Sequence, residues 1–449
     1  MNTIRLDLIR ESLEGTIPGI VATCSADGMP NVAYLSQTEY VDQRHIALSY
    51  QFFNTTRRNV LENPHARLIV THPQSAERHR LLIRYLRTET AGPLFERMRA
   101  KLAGIASHTG MSGVFRLLGS DVYAVLDIER VPAAALPAAP PRRSLLAALR
   151  ATTDTMAAAA DLETLLTDTL AALKRHFGMG HAMVLMLDAA HEKLYTVASL
   201  GYERSGVGSE IRVGDGVIGM AARHATPIRI GHMTLDAAYG RAIRAEALDG
   251  GLAGALETEI PLPGLPESRS QLAVPVRAAG RLLGILYAES AQDLRFGYDE
   301  EDALAALAAQ LGAAVLHHQH AADTHDDAAP TEPVMPAGTP VEVRRYAEND
   351  SVFLDGEYLI KGVAGTILWA MLHDYTDRGR VRFSNRELRL DPRIRLPDLS
   401  DNLEARLILL RRRLDEHDAC VRLVSAGRGL LRLEVRRPLR LVEVAGPPR

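Results

Sequence analysis

Apolar and polar positions change rhythm twice along the chain. From residue 16 to 131 they alternate or run apolar in short blocks, predicting strands over 16–24, 31–41, 45–50, 66–71, 80–87 and 121–131. Asp27-Gly28 supplies a hairpin turn between the first two. Helices are expected at 55–63 and 93–107, and short antiparallel strands at this spacing predict a closed barrel. From 144 the period lengthens, giving helices over 144–158 and 162–177, strands over 181–187 and 193–200, and a helix over 217–224. A strand pair, 271–278 and 281–289, and a long helix, 300–318, complete an antiparallel sheet covered by helices. After 340 come strands 341–346 and 351–355, helices 363–374, 384–390 and 400–415, and a hairpin 421–425/430–435. Two stretches rich in proline and alanine carry no period and read as extended spacers. The expected division is therefore 1–131, linker 132–143, 144–320, linker 321–340, and 341–449.

Composition narrows the classes. At 449 residues, 47% hydrophobic and 24% charged, the chain is long enough for about three globular domains and is not a disordered polymer. Its two cysteines, Cys24 and Cys420, exclude a disulfide framework and any cysteine-rich metal site, and fit a reducing cytoplasm. The first 15 residues lack the apolar core of a signal peptide, and no apolar run reaches about 18 residues, so no membrane association is expected. Net charge is −3, but residues 340–449 hold 21 Lys+Arg against 17 Asp+Glu, a local +4 that leaves −7 elsewhere. Only that last region has an electrostatic reason to meet nucleic acid.

In the first region the informative run is Ser49-Tyr50-Gln51-Phe52-Phe53-Asn54-Thr55-Thr56-Arg57-Arg58-Asn59. It closes a strand and opens a helix, so free N–H groups, hydroxyls and two guanidinium groups converge as a phosphate cradle. With the strand, Asp27-Gly28-Met29-Pro30 turn and strand order before it, residues 15–130 resemble the pyridoxamine-5′-phosphate-oxidase-like split barrels. The resemblance implies FMN at a homodimer interface, its phosphate on Thr55, Thr56, Arg57 and Arg58, with ring-edge contacts from Ser36 and Gln51. This sequence has arginine where many members have lysine, and some members hold haem or a deazaflavin instead. No acid–base pair stands out; His45, His65, His72 and His79 read as scattered surface or core histidines.

Gly214-Asp215-Gly216-Val217-Ile218-Gly219 fits G-x-G-x-x-G, but no βαβ unit flanks it, so the glycines read as a tight turn. Together with the runs 213–230 and 271–290, then Phe296 and Asp299-Glu300, residues 145–320 resemble a GAF domain. That implies a small-molecule effector under the long segment 231–266. No cysteine is present for a linked bilin, and Glu289-Ser290 stands where cyclic-nucleotide members have Asn-Lys. Leu304, Leu307, Leu311 and Val315 recur at helical spacing, as core cover or as a pairing helix. His224 and His232, and His317, His318, His320 and His325, read as satisfied or solvated side chains rather than ligands.

Asp355-Gly356-Glu357, Trp369, the run 403–414 and Ser425-Ala426-Gly427-Arg428-Gly429 resemble the response-regulator type of winged helix over residues 341–435. Leu403, Leu407, Leu410 and Leu414 form the buried stripe of the helix over 400–415. The resemblance turns Ala405, Arg406, Ile408, Leu409, Arg411 and Arg412 outward to DNA and puts Arg428 on a phosphate. Ile408 and Leu409 are apolar where the family is commonly polar. The expected architecture is multidomain α+β: split β-barrel, GAF α/β sandwich, winged helix-turn-helix. The expected function is a one-component, dimeric transcriptional regulator sensing redox state or a small ligand. The alternative is an FMN-dependent oxidoreductase tuned by its GAF domain, with the third domain as a protein-interaction module.

Overall fold

The computed structural model describes residues 4–13, 17–35, 37–51, 55–108, 116–132, 144–231, 260–322, 338–394, 396, 403–417, 419–427 and 429–445. The first region holds seven strands: β1 (Gly19–Cys24), β2 (Pro30–Leu35), β3 (Thr38–Tyr40), β4 (His45–Tyr50), β5 (His65–Thr71), β6 (Arg78–Glu89) and β7 (Gly119–Val131). They pair antiparallel in the order β2-β1-β5-β6-β7-β4-β3. The strand expected over 31–41 is therefore two strands on opposite edges of the sheet. Leu35 and Thr38 can lie no more than about 11 Å apart along the chain. Seven flat strands would separate those edges by about 29 Å. The sheet must curl until its edges meet, and it encloses Val21, Ile46, Leu68, Leu81 and Ile83. An N-terminal 3-10 turn, Leu6–Leu13, that periodicity missed adds Leu6, Ile9 and Leu13 to this core. Helix α1 (Thr55–Glu62) lies over β1 and β2, while α2 (Pro93–His108) packs outside, where Leu94, Phe95 and Met98 meet Ala47 and Val122.

The middle region begins with α3 (Leu145–Ala157) and α4 (Leu162–Ala172), capped by Ser144 and Asp161. Its sheet runs β10-β9-β8-β13-β12-β11, antiparallel throughout. The strands are β8 (His181–Asp188), β9 (Lys193–Leu200), β10 (Glu210–Arg212), β11 (Ile228–Ile230), β12 (Ser270–Ala278) and β13 (Arg281–Ser290). α3, α4 and α6 (Tyr298–Ala322) cover one face, and α5 (Gly216–His224) the other. Leu304, Leu307, Leu311 and Val315 are buried with Leu272, Val274 and Val276, so this stripe is spent on its own sheet, not on a pairing surface. The glycine-rich turn connects β10 to α5 with no parallel strand. Gly214 has φ +104°, and a Cβ on Gly219 would approach the Arg212 carbonyl to 2.3 Å.

In the third region β14 (Val341–Tyr346), β15 (Ser351–Leu354) and β16 (Glu357–Ile360) form a meander. Then come α7 (Gly362–Arg378), β17 (Arg382–Ser384), α8 (Asn385–Leu390), α9 (Leu403–Glu416) and the hairpin β18 (Val421–Gly427)/β19 (Leu430–Val435). A reciprocal Ser384/Glu387 capping box sets the start of α8. β20 (Leu439–Val444) returns to pair parallel with β14.

Two junctions join the regions. At the first, Ala103 of α2 packs on the α5 side of the middle sheet. Beside it charged groups surround Tyr298, which is 4% exposed. The guanidinium carbons of Arg10 and Arg229 lie 4.2 and 4.7 Å from its ring centre, and Lys101 Nζ at 5.5 Å. Lys101 donates to Glu39 at 3.0 Å, Arg229 to Glu301 at 3.0 Å and Arg10 to Asp302 at 2.9 Å. Burial alone would raise the Glu301 carboxyl, but Lys101 and Arg229 hold it below the ordinary range. At the second junction, α9 lies between its own region and the middle one, whose apolar cores form one continuous cluster.

Candidate functional site

The cradle of the barrel is assembled by α1 and three neighbouring strands. Asn59, fully buried, donates from Nδ2 to Thr23 Oγ1 at 3.2 Å, and Asn31 Nδ2 donates to Thr56 Oγ1 at 2.9 Å. These bonds fasten the first turn of α1 to β1 and β2. A cleft of about 130 Å³ opens there, with Tyr34, Leu48, Gln51, Thr56, Arg57 and Asp121 among its lining residues. Thr55 and Arg58 are exposed at the helix start. Arg57 is engaged within the cleft: its Nη1 contacts Asp121 Oδ1 at 2.5 Å, and its guanidinium lies 4.6 Å from the centre of the Tyr50 ring. Thr88 also donates to Asp121, at 2.6 Å, yet burial dominates and raises that carboxyl.

The expected phosphate ligands thus divide. Thr55 and Arg58 face solvent at the helix start, Thr56 is already bonded to Asn31, and the charge of Arg57 is matched by Asp121. Gln51 lies in the cleft with its Oε1 buried and without a hydrogen-bond donor among the described residues. Ser36 lies outside the described residues. An anionic group on Thr55 and Arg58, with a donor-bearing ring edge against Gln51, fits these residues. The cleft is smaller than the roughly 300 Å³ or more of ordinary ligand sites. A further wall is needed to enclose a flavin-sized molecule, and the exposed Val32 and Tyr34 of edge strand β2 stand beside the opening.

The second set of candidate residues is on α9, where the expectation requires correction. Leu403, Leu407, Leu410 and Leu414 form the inner stripe, at most 3% exposed. The face expected to point outward is covered as well: Ala405, Arg406, Ile408 and Leu409 are at most 5% exposed. Arg406 Nη2 meets Asp188 Oδ2 at 3.0 Å, and its guanidinium stacks 4.8 Å from the Tyr195 ring centre. Arg411 Nη1 donates to Glu163 at 2.5 Å. Arg412 donates to the Val197 carbonyl and to Thr167 Oγ1, both at 2.8 Å, and burial lowers its pKa. Every one of these partners belongs to the middle region. Asp188 also accepts from His191 at 2.9 Å; burial opposes its charge, but Arg406 and then His191 bring its pKa below the ordinary value. Arg428 lies outside the described residues.

In the middle region, 232–259, the greater part of the segment expected to cover an effector, lies outside the described residues, as does His232. Burial lowers the His224 pKa. Among the described residues no group of His, Cys, Asp and Glu is placed to hold a metal ion, and no helix is long and apolar enough to cross a membrane.

Residues 6–112 match the family model for pyridoxamine 5′-phosphate oxidase and residues 161–315 that for the GAF domain. The chain therefore carries a pyridoxamine-5′-phosphate-oxidase-like barrel followed by a GAF domain. No curated protein matches the chain by sequence. Among solved structures, the GAF domain of an Acinetobacter phosphoenolpyruvate-protein phosphotransferase is 19% identical, covering 40% of this chain and 97% of its own, with a TM-score of 0.31. The free methionine-R-sulfoxide reductase of Neisseria meningitidis is 20% identical, covering 41% and 98%, TM-score 0.31. An FMN-binding protein from Syntrophomonas wolfei is 17% identical, covering 28% and 89%, TM-score 0.24.

Proposed function

We propose that the chain is a one-component regulator of transcription: its barrel takes FMN, its GAF domain relays the state of a small ligand, and its third region is a winged helix that acts on DNA. The observation that carries this reading is the order α7, capped α8, α9 and the β18/β19 hairpin, with Arg406, Arg411 and Arg412 together on α9. Three helices closed by a hairpin are the arrangement of a helix-turn-helix with a wing. The barrel reading rests on its family match and on the cradle. Thr55 and Arg58 hold the FMN phosphate, Gln51 accepts from the ring edge, and the Arg57–Asp121 pair fixes the helix start. Bound FMN supplies reversible redox chemistry, and with it a redox input. A second copy, docking along the exposed Val32 and Tyr34 of β2 and Met29 in the turn before it, closes the cleft and makes the working unit a homodimer.

Titration of the purified chain with FMN and with riboflavin, followed by flavin fluorescence, tests the cradle. Losing one charge-assisted phosphate contact is worth about 1.5–3 kcal/mol. Arg58→Ala is therefore expected to weaken FMN roughly 10–100-fold while leaving riboflavin unchanged. Equal loss for both, or no binding of either, removes the phosphate assignment. Flavin turnover with a nicotinamide reductant, without duplex binding, favours the oxidoreductase reading instead.

A further inference from the structure

A helix that reads DNA must offer its outward side chains to a groove about 12 Å wide. In this chain the outward side of α9 is covered: Ala405 and Arg406 are 0% and 4% exposed. Ile408 and Leu409 are each 5% exposed, and Leu409 Cδ1 lies 3.3 Å from where a Cβ on Gly208 would stand. Ile260 Cδ1 would lie nearer still, at 2.7 Å, so Gly208 admits both the GAF side chain and Leu409 at this contact.

The polar contacts follow a pattern. Arg406 and Arg411 meet carboxylates of the GAF domain, Asp188 at the end of β8 and Glu163 in the first turn of α4. Arg412 uses a backbone carbonyl and a hydroxyl, and its Nε lies 3.6 Å from Glu163 as well. Around these, Glu416 accepts from Ser205, and Lys361 lies 3.4 Å from Glu210. Two carboxylates and two neutral acceptors thus take up the guanidinium donors that phosphates and base edges would use.

We infer that the GAF domain holds α9 in a closed, DNA-incompetent arrangement, Glu163 and Asp188 substituting for nucleic-acid acceptors, and that separation of α9 from this surface is the output step. The inference rests on the winged-helix reading for its DNA consequence but not for the contact itself. A docked α9 cannot enter a groove, so apparent DNA affinity is the intrinsic affinity scaled by the open fraction. Anything that remodels β8, β9 or α4 changes that fraction. The spacer expected over 321–340 is long enough for the third region to move away without unfolding.

The test uses the full chain carrying Glu163→Gln and Asp188→Asn together. Both substitutions are in the GAF domain, remove no candidate DNA contact and add no positive charge. They remove the carboxylates that face Arg406, Arg411 and Arg412 across the junction, which favours opening. Two readouts are taken: small-angle scattering without DNA, and fluorescence anisotropy with mixed-sequence duplexes of about 30 base pairs at low and moderate salt. The expected result is a larger radius of gyration and duplex affinity raised about 10–100-fold. Unchanged scattering with unchanged affinity overturns the closed arrangement, as does a wild-type chain that is already extended. Expansion without duplex binding in either chain upholds the closed contact and removes the winged-helix reading, so the two failures are distinguishable. Circular dichroism of the double variant confirms that expansion is separation rather than unfolding.

Discussion

The two junctions of this molecule use the same residue types to opposite ends. At the barrel–GAF junction, Arg229 and Glu301 have side chains 8% and 11% exposed, and Lys101 sits between Glu39 and Glu301 against the ring of Tyr298. Those buried pairs lie within one region each, Arg229–Glu301 in the GAF domain and Lys101–Glu39 in the barrel, and the ion pair that crosses, Arg10–Asp302, keeps 32% and 59% exposure. At the junction of the GAF domain with the third region the ion pairs themselves cross: Arg406–Asp188 is 5% and 11% exposed, while Arg411–Glu163 keeps 22% and 31% and Arg412 keeps 20%. Parting this junction strands Arg406 and Asp188 unless water reaches them, whereas Arg411, Glu163 and Arg412 are already partly wet. Which side of a junction each partner lies on, rather than the count of ion pairs, decides what opening it costs.

The first way to break this comparison is Glu301→Ala. Removing one partner of a buried network costs about 3–5 kcal/mol. Urea unfolding followed by circular dichroism is expected to show an early loss of barrel and GAF structure. The fluorescence of Trp369, the one tryptophan, reports the third region and should keep its midpoint. A common shift of both probes shows that the junctions are not separable. A shift below about 1 kcal/mol shows that Glu301 is not the keystone.

Leu409→Ala comes next. Truncating a buried leucine costs about 2–5 kcal/mol. Here the loss is expected to fall on the closed arrangement rather than on the third region's own core, which Leu403, Leu407, Leu410 and Leu414 hold. Scattering should expand while the Trp369 unfolding midpoint stays near the wild-type value. A lowered midpoint with compact scattering assigns Leu409 to the domain core instead.

The smallest effect is acid sensitivity. The Asp188 pKa is depressed in the folded chain by Arg406 and His191 against the opposing effect of burial. The folded form therefore binds fewer protons than a freed Asp188, whose pKa is about 3.9. Its contribution is complete above that value and fades as pH falls through the lower folded one. Scattering from pH 6 down to about 3.5 should show the second junction loosening only toward the acid end, and Asp188→Asn should abolish the trend. Loosening already at pH 6 points to another titrating group.

Much of this architecture was legible in the residues. The alternating strands of the barrel, the capped helices of the GAF domain and the stripe Leu403–Leu407–Leu410–Leu414 follow from period alone, because each buries one face in its own core. The misread features were those decided by distant parts of the chain. Nothing near Arg57 announces Asp121, 64 residues away, as its counter-ion. The parallel return of β20 likewise depends on β14, and the crossing between β2 and β3 on closure of the sheet. The covered outer face of α9 did leave a signal. Besides the stripe Leu403, Leu407, Leu410 and Leu414, the helix carries Ala405, Ile408 and Leu409 on its other side among the arginines, a second apolar patch that a helix with one solvated face would not need.

The parallel pairing of β20 with β14 has a consequence for biosynthesis. Val341 opens the sheet and Leu439, its register partner, is made 98 residues later. By then the GAF domain is complete, with Glu163 and Asp188 in place, because domains fold in the order of synthesis. α9 and the last strand therefore emerge together onto a finished GAF surface, so each copy is expected to be assembled shut, and activity is something the mature protein must acquire.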